Sequence, residues 1–434
     1  MRVLVTGAYG FIGTHVVEAL QRDGAEVIGA GRRVEIGRRL LPVIAWRHAD
    51  FNVLTTPSSW RPLLDGVDSI VNLVGILQST ARDDAWRIQV TATSALFDAA
   101  AAVGIRRVVH VSAISAEAAV TTDYAQTRVA AERHLAGLDL DWVIVKPSLV
   151  IGDGSFGGTA LLRGLAGLPL VTPVPDVGGG RFQPIAMRDL ADGLARLAQQ
   201  SAPARIVLYA AGPEAKSVTE LARGYRAWLG FPACPVLTVP GWLVRPALLL
   251  GDVLAYLGSP SALRTTSFEQ MRYGETFEPG PFAALLGRPL ATLEQIFRAK
   301  PARIQDRWHA RLYLLRPILQ GVLSVFWIGT GLIALLPGPR SEAMTMGEEA
   351  GLGAMAAGLV IIGGAIADIV AGALMLSARW TRVAGVLQLA LSAAYLVFGT
   401  VLEPALWGDP LGPLMKVFPV IALTLAVMAL AEER

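Results

Sequence analysis

Apolar and polar positions divide this chain into two parts. Up to about Arg316, short apolar runs alternate with charged segments; beyond it, long apolar stretches follow one another with few charges between them. The opening run Val3-Leu-Val-Thr6 reads as a strand. After the glycine-rich turn Gly7-Ala-Tyr-Gly10-Phe-Ile-Gly13, the apolar positions Val16, Val17 and Leu20 take up helical spacing. Further strand-like runs occur at Glu26-Val-Ile-Gly-Ala30, at Ser69-Ile-Val-Asn-Leu-Val-Gly75 and at Arg107-Val-Val-His-Val-Ser112. Strands alternating with helical segments predict an α/β domain with a doubly wound parallel sheet.

The second part predicts membrane spans. The stretches Ile318–Leu336, Gly351–Leu376, Val383–Leu402 and Leu411–Leu430 each approach the ~20 residues that cross a ~30 Å hydrocarbon core as a helix. An all-α four-helix transmembrane bundle over 318–434 is expected, after a basic cytoplasmic linker over 301–317. Arg303, Arg307, Arg311 and Arg316 precede the first span, and Arg379 and Arg382 lie between the second and third. The other two loops carry Glu342, Glu348, Glu349, Glu403 and Asp409, with Arg340 the one basic residue. Basic loops mark the cytoplasmic side, so both termini are expected there, in the inner (cytoplasmic) membrane. Trp380 and Trp407 lie near span ends as interface anchors; Trp327 does not.

Asp368 falls inside the second span and Lys416 just inside the fourth, at different depths. Lys416 is expected to reach back to the surface. Asp368 should face the bundle interior, either as a structural hydrogen-bond partner or as part of a small-ligand site. Gly353, Ala354, Ala357, Gly358, Gly363, Gly364 and Ala367 suit close packing of helices.

Composition narrows the partners. Of 434 residues, 53% are hydrophobic and 17% charged, and the formal net charge of +3 gives nucleic-acid binding no support. The single cysteine, Cys234, excludes an intrachain disulfide and suits a reducing compartment. With the first strand starting at Arg2 and no leader before it, the N-terminal domain is expected to stay where it is made.

The glycine turn carries the first chemistry. Gly7 permits the tight turn, Gly10 lets a pyrophosphate approach the backbone, and Gly13 lets helix pack on strand. Phosphates then meet a helix N-terminus, where free N–H groups and the dipole favour negative charge. Placed between strand and helix, the pattern reads as a dinucleotide site of the Rossmann type, with Tyr9, Phe11 and Ile12 completing the turn. The second strand ends in Gly31-Arg32-Arg33. An acidic residue there would bind the ribose of NAD, whereas Arg32 or Arg33 suits the 2′-phosphate, so NADP(H) is expected over NAD(H). Asp50-Phe51, after the next strand, would flank the adenine, and the turn Leu73-Val74-Gly75 would also touch the cofactor.

These motifs, followed by Tyr124 and Lys146-Pro147-Ser-Leu-Val-Ile-Gly152, resemble the atypical and extended short-chain dehydrogenase/reductases, and most of all the branch that includes the 39-kilodalton subunit of respiratory complex I. Phe182-Gln-Pro-Ile-Ala-Met-Arg-Asp-Leu-Ala191 is similar to that superfamily's return segment to the cofactor domain. The resemblance covers about residues 1–300, with a substrate-side region mainly over 148–300, and adds Pro147 to the cofactor contacts. Residues 404–416, Pro-Ala-Leu-Trp-Gly-Asp-Pro-Leu-Gly-Pro-Leu-Met-Lys, resemble the last loop and helix of the DoxX-like four-helix membrane proteins, which implies membrane residence.

The superfamily resemblance implies a catalytic tyrosine, Tyr124, whose pKa a lysine four residues later would lower, and Ser112 to bond the substrate oxygen. Position 128 is instead arginine. Arg128 still supplies charge and a contact to cofactor, but it cannot be deprotonated and so cannot relay a proton. Two readings lead: a membrane-anchored NAD(P)H-dependent oxidoreductase acting on a lipophilic carbonyl or quinone-like substrate, and a non-catalytic NADPH-binding scaffold, assembly factor or redox sensor attached to a membrane complex. A nucleotide-sugar epimerase or dehydratase is a distant third, since a membrane anchor gives such an enzyme no obvious purpose. His110 lies on an apolar strand and reads as core, His15 reads as a surface residue, and His48, His134 and His309 lack ligand spacing, so no metal site is expected. Val239–Leu257 is apolar but punctuated by Pro240, Arg245, Pro246 and Asp252; it reads as a packed helix of the substrate side or as an amphipathic helix facing the membrane.

Overall fold

The computed structural model describes residues 1–117, 119–256, 264–349 and 351–431. It contains two compact units: residues 1–252 with 261–311, and residues 253–260 with 312–434.

The first unit is built on a seven-stranded sheet. Its strands are β1 Arg2–Thr6, β2 Glu26–Gly31, β3 Ala45–His48, β4 Ser69–Asn72, β5 Arg107–Val111, β6 Asp141–Pro147 and β7 Ile206–Ala210. The spatial order is β7-β6-β5-β4-β1-β2-β3, and every neighbouring pair is parallel. The chain leaves β1 toward β2 and β3, then returns to the other side of β1 as β4. That reversal opens a crevice beyond the carboxyl ends of β1 and β4, where ligands of such sheets bind.

Both faces of the sheet are covered, which is why the central strands are apolar without alternation. Helix α1, Gly13–Arg22, shares one face with Met187–Leu197: Val16, Val17 and Leu20 pack with Leu190, Leu194 and Leu197. On the other face lie α2, Thr93–Val103, and α3, Asp123–Ala136, with Leu96, Phe97 and Leu135 packed around Trp60. A third apolar cluster, including Ile151, Leu162, Leu221, Tyr225 and Leu293, forms the core of the substrate-side region.

Within that region, α4 spans Gly241–Tyr256 and contains Pro246; Leu257 lies outside the described residues. Leu248 and Ala255 are buried, whereas Trp242, Leu243, Leu249 and Leu250 are exposed. The helix therefore shows an apolar face outward, as the membrane-facing alternative requires.

Beyond residue 300, α5, Ile304–Ala334, runs unbroken past Pro317. Residues 304–317, expected as linker, are thus helical. Arg307 and Arg311, one turn apart, both stand 5.0 Å over the Phe231 ring, which rewards helical spacing. A helix absent from the expectation, α6 over Pro337–Glu349, occupies the first acidic loop. Helix α7, Ala354–Met375, and α8, Thr381–Leu402, coincide with the second and third apolar stretches. With α5 they are long and apolar enough to cross a membrane. The fourth stretch forms α9, Val417–Leu430, of 14 residues, with Lys416 at its start.

The membrane-capable helices turn large apolar side chains outward: Val325, Met355, Leu359 and Val401 are at least 70% exposed. In water such a surface would aggregate; in hydrocarbon it is the favourable one. Trp327 is buried, while Trp380 and Trp407 are partly exposed. Close helix approach falls in part where expected: Ala357 is buried, 3.0 Å from a Cβ built on Gly347, and a Cβ on Gly364 would meet the Tyr395 hydroxyl at 3.7 Å. A Cβ on Gly331 would lie 2.5 Å from the Ala365 carbonyl oxygen, and one on Gly372 would lie 2.9 Å from the Ser324 oxygen, whereas Gly353, Gly358 and Gly363 face open space. Asp368 is buried and accepts the Tyr395 hydroxyl of α8 at 2.7 and 2.8 Å. Tyr395 also lines an apolar cavity of about 330 Å³ with Val360, Phe398 and Leu414.

Candidate dinucleotide and carbonyl site

The phosphate end is shaped by backbone. Gly7 has φ +72°, donates its N–H to the Ala30 carbonyl at 2.9 Å, and accepts from the Gly10 N–H at 2.9 Å. An L-residue is strained at that φ, so glycine is the natural occupant. A Cβ on Gly13 would sit 2.2 Å from the Gly7 oxygen and 2.7 Å from the Ala8 oxygen. Helix α1 can start against β1 only because that Cβ is missing. Ile12 stands at its N-cap position, and no side chain caps the helix, so its first turn presents donors to an anion. The Phe11 ring stacks on Phe156 at 5.9 Å. Leu73 and Val74, after β4, come within 3.4–3.5 Å of a Gly7 Cβ and wall the cradle. The residues present fit a dinucleotide pyrophosphate.

At the end of β2, the Tyr9 ring lies against Gly31, whose Cβ would meet it at 2.5 Å. Its hydroxyl accepts the Arg33 backbone N–H at 3.2 Å. The Arg33 side chain is exposed. Arg32 instead forks onto Asp83, at 2.7 and 3.4 Å. Asn52 also donates to Asp83, at 2.8 Å, and Asp50 accepts the Asn52 N–H at 3.0 Å. Phe51, expected beside the adenine, is 5% exposed and meets Trp60 edge-on at 5.0 Å. It is a core residue, because the turn after β3 points its ring inward under the sheet.

At the other end stands α3, whose start is capped by the Thr122 hydroxyl, an acceptor for the Ala125 N–H at 3.3 Å. Tyr124 and Arg128 lie one turn apart, with the Arg128 Cζ 5.4 Å from the Tyr124 ring centre. The Tyr124 hydroxyl has no hydrogen-bond partner among the described residues. Arg128 is buried and donates to the Val111 carbonyl at 3.0 Å and the Val74 carbonyl at 3.4 Å. A Cβ on Gly75 would fall 1.6 Å from its Nη2. Gly75 therefore makes room for the guanidinium, which ties the ends of β4 and β5 to α3.

Ser112, just after β5, bonds to α3 at a residue beyond Tyr124. Its hydroxyl donates to Glu132, which is two turns, or ~12 Å, further along α3. Glu132 pairs with Lys146 at 3.1 Å. Lys146 in turn donates to the Ala116 carbonyl at 2.6 Å and to Glu117 at 3.1 Å. Burial raises the Glu132 carboxyl above its ordinary value, against the pull of Ser112 and Lys146. Lys146 is held above its ordinary value because its two carboxylates outweigh its burial. Sequence reasoning gave no role to Glu132 or Lys146. The signal was present in the spacing 124, 128, 132, which places three polar side chains on one face of a helix. Pro147 ends β6, and its carbonyl accepts the Ile114 N–H at 3.2 Å.

Beneath the site a polar ladder crosses the sheet. Thr6 donates to Asn72 at 2.6 Å, and the Asn72 amide reaches His110 Nδ1 at 3.0 Å. Because an amide nitrogen only donates, His110 Nδ1 accepts and the ring is neutral. Complete burial, and then the charge of Arg128, push its pKa down to about 3. The folded protein thus keeps His110 neutral where an unfolded chain protonates it, near 6.5. Its contribution is complete above pH 6.5 and is lost as pH falls toward 3, at about 1.4 kcal/mol per pH unit. Unfolding of the full-length chain between pH 7 and 5 is expected to show a shallower loss of stability for His110→Asn than for the unsubstituted protein. Parallel curves would refute that assignment.

Fold and cradle together define a nicotinamide-dinucleotide-binding domain of the epimerase/reductase type. Residues 3–208 match the NAD dependent epimerase/dehydratase family, and residues 324–425 match the DoxX-like family. The chain therefore joins a Rossmann domain of the short-chain dehydrogenase/reductase type to a DoxX-like membrane domain. Among curated proteins it is similar to a ceramide reductase of Caulobacter vibrioides, at 26% identity over 57% of this chain and 77% of that protein. It is also similar to sterol demethylase protein B of Methylococcus capsulatus, at 29% identity over 36% of this chain and 53% of that one, about half its length. Solved structures of like fold include an NADPH-dependent quinone oxidoreductase of Escherichia coli, with TM-score 0.53 and 19% identity over 68% of this chain and 99% of that one. A UDP-N-acetylglucosamine 4-epimerase of Bacillus cereus gives TM-score 0.52 and 16% identity over 72% and 99%.

Proposed function

We propose that this protein is a membrane-anchored NAD(P)H-dependent oxidoreductase acting on the carbonyl of a lipophilic substrate. The observation that carries the reading is the Tyr124 hydroxyl, which has no hydrogen-bond partner among the described residues and stands one turn from the buried cation Arg128. Gly7, Gly10 and Gly13 would hold the pyrophosphate, Arg32 and Arg33 the 2′-phosphate of NADP(H), and Arg128, Val74 and Pro147 the nicotinamide end. When bound, the reduced dinucleotide would supply the hydride that the carbonyl carbon takes up. Tyr124 gives its proton to the carbonyl oxygen, so the product is an alcohol, and Arg128 stabilises the phenolate left behind. Ser112, bonded to Glu132, contributes by holding the loop after β5 rather than by touching substrate.

Three observations support a lipophilic substrate: the two relatives are named for ceramide and sterol chemistry, α4 turns Trp242, Leu243, Leu249 and Leu250 outward, and the chain carries its own membrane-capable helices. On this reading residues 1–300 form the catalytic domain on the cytoplasmic side of the inner membrane, with the basic positions at the start of α5 and between α7 and α8 facing the same side. Residues 318–434 anchor it.

A second reading, a non-catalytic dinucleotide-binding scaffold of a membrane complex, is favoured by one feature: the Arg128 Nη1 is engaged by two backbone carbonyls. Full-length protein in lipid nanodiscs, offered NADPH or NADH with a series of long-chain ketones and quinones, separates the two. Carbonyl-dependent loss of nicotinamide absorbance is expected. Binding of dinucleotide without turnover across the series would reject the enzyme reading and leave the scaffold.

A further inference from the structure

The end of β2 carries no acidic residue of its own; Arg32 and Arg33 stand where a dinucleotide-binding sheet of the NAD type places a carboxylate for the adenosine ribose. The structure brings a carboxylate there from elsewhere. Asp83, 51 residues beyond Arg32, arrives on the loop after β4 and takes the Arg32 fork through both oxygens, at 2.7 and 3.4 Å. It also accepts from Asn52, in the turn after β3, at 2.8 Å. The loop is built to present it. Thr80 accepts the Arg82 and Asp83 N–H groups at 3.3 and 3.1 Å, Ser79 accepts the Ala85 N–H at 3.0 Å, and Asp84 accepts the Arg87 N–H at 2.6 Å. The pair is part-buried, with side-chain exposures of 29% for Arg32 and 20% for Asp83.

From this we infer that Asp83 is the residue that sets the choice between NAD(H) and NADP(H), and that it lets one site accept both. This inference rests on the dinucleotide reading above. Arg32 and Arg33 alone would make a strongly cationic pocket selective for a 2′-phosphate. With Asp83 and Asp50 beside them, two carboxylates match the two arginines. A free 2′-hydroxyl then finds an acceptor in Asp83, whose carboxylate Arg32 and Asn52 keep ionised. A 2′-phosphate carries about −1.5 to −2 charges, so it competes with Asp83 for Arg32 and is opposed by the carboxylate itself. The exposed Arg33, whose side chain makes no ion pair among the described residues, supplies the remaining attraction for phosphate. The Arg32 guanidinium is held above its ordinary value chiefly by its bond to Asp83; for Asp83 the bonds from Arg32 and Asn52 outweigh the burial that would raise it.

The same loop reaches the substrate side. Gln78 donates to Asp252 at 3.4 Å, and Arg264 donates to the Ser79 carbonyl at 3.4 Å. Asp83 therefore acts on a segment that meets both the adenosine end and the substrate-side region, which is why affinity and not turnover is the proper readout.

The test is equilibrium binding of NAD⁺ and NADP⁺ to the full-length protein in detergent, by calorimetry. Asp83→Asn keeps the shape and removes the charge. It is expected to weaken NAD⁺ about 10-fold and to leave NADP⁺ equal or tighter, moving the ratio of dissociation constants at least 10-fold, a change of about 1.4 kcal/mol in relative affinity. Arg32→Gln, which leaves Asp83 unopposed, is expected to move the ratio the other way. Equal effects on both dinucleotides, or no effect of either substitution, would overturn the inference while leaving the dinucleotide reading intact. If the unsubstituted chain binds neither dinucleotide, the cofactor reading itself fails, and this one with it.

Discussion

Tyr124→Phe is expected to lower carbonyl-dependent turnover by about 10²–10⁴-fold, the usual contribution of a positioned proton donor. Dinucleotide affinity is expected to stay nearly unchanged. The split follows from the geometry. The phenol oxygen has no hydrogen bond to lose among the described residues, and the ring, 5.4 Å from Arg128, is retained by phenylalanine. Steady-state assay and equilibrium binding on the same preparation check both halves. Turnover that survives the substitution would remove Tyr124 from the chemistry. The companion substitution Arg128→Lys is informative because a lysine restores the pattern of the superfamily, yet a flexible ammonium replaces the planar guanidinium whose Nη1 meets both the Val74 and Val111 carbonyls. A gain in turnover accompanied by lower thermal stability would mean that the arginine serves architecture at the expense of proton transfer.

The second large effect is expected at Gly13. The missing Cβ lies 2.2 Å from one backbone oxygen and 2.7 Å from another, and neither is the flexible end of a side chain. Gly13→Ala must push α1 away from β1. The cradle then loses the alignment of its first helical turn with the Gly7–Gly10 backbone, on which an anion site depends. Dinucleotide binding is expected to weaken by about 100-fold or more, with stability reduced by about 1–3 kcal/mol, the usual cost of inserting a methyl where none fits. Gly24→Ala makes a useful contrast, since a Cβ there meets nothing within 4 Å, although its φ of +80° still carries strain. Calorimetric titration with thermal unfolding of both variants distinguishes a specific cradle effect from a general loss of stability. Binding by Gly13→Ala equal to that of the unsubstituted chain would place the phosphates elsewhere.

The cradle was legible in the sequence because its determinants are local. A strand, three glycines at fixed offsets and a helix imply one another through backbone geometry, and the structure puts Gly7, Gly10 and Gly13 at the close approaches their spacing implies. Three of the four expected membrane spans were legible for a similar reason, since apolar length decides whether a segment can cross hydrocarbon, whereas the fourth stretch forms a helix of 14 residues. Residues 301–317 were read for their charge and not for their period. Arg303, Arg307 and Arg311 recur every four residues, a helical signal, and the Phe231 ring that two of them cover belongs to a distant part of the chain.

The side-chain contacts around the site were not legible. The sequence by itself determined that a dinucleotide-type α/β domain precedes a set of membrane helices, because periodicity and glycine spacing are properties of neighbouring residues. The tertiary structure alone decided that Asp83 meets Arg32, that Ser112 turns to Glu132 and Lys146, that Arg128 fills the space above Gly75, and that Phe51 enters the core against Trp60. Each of these pairs joins segments made adjacent by the order of strands in the sheet. Sheet order arises from burial of both faces at once, a global condition that no window of sequence contains.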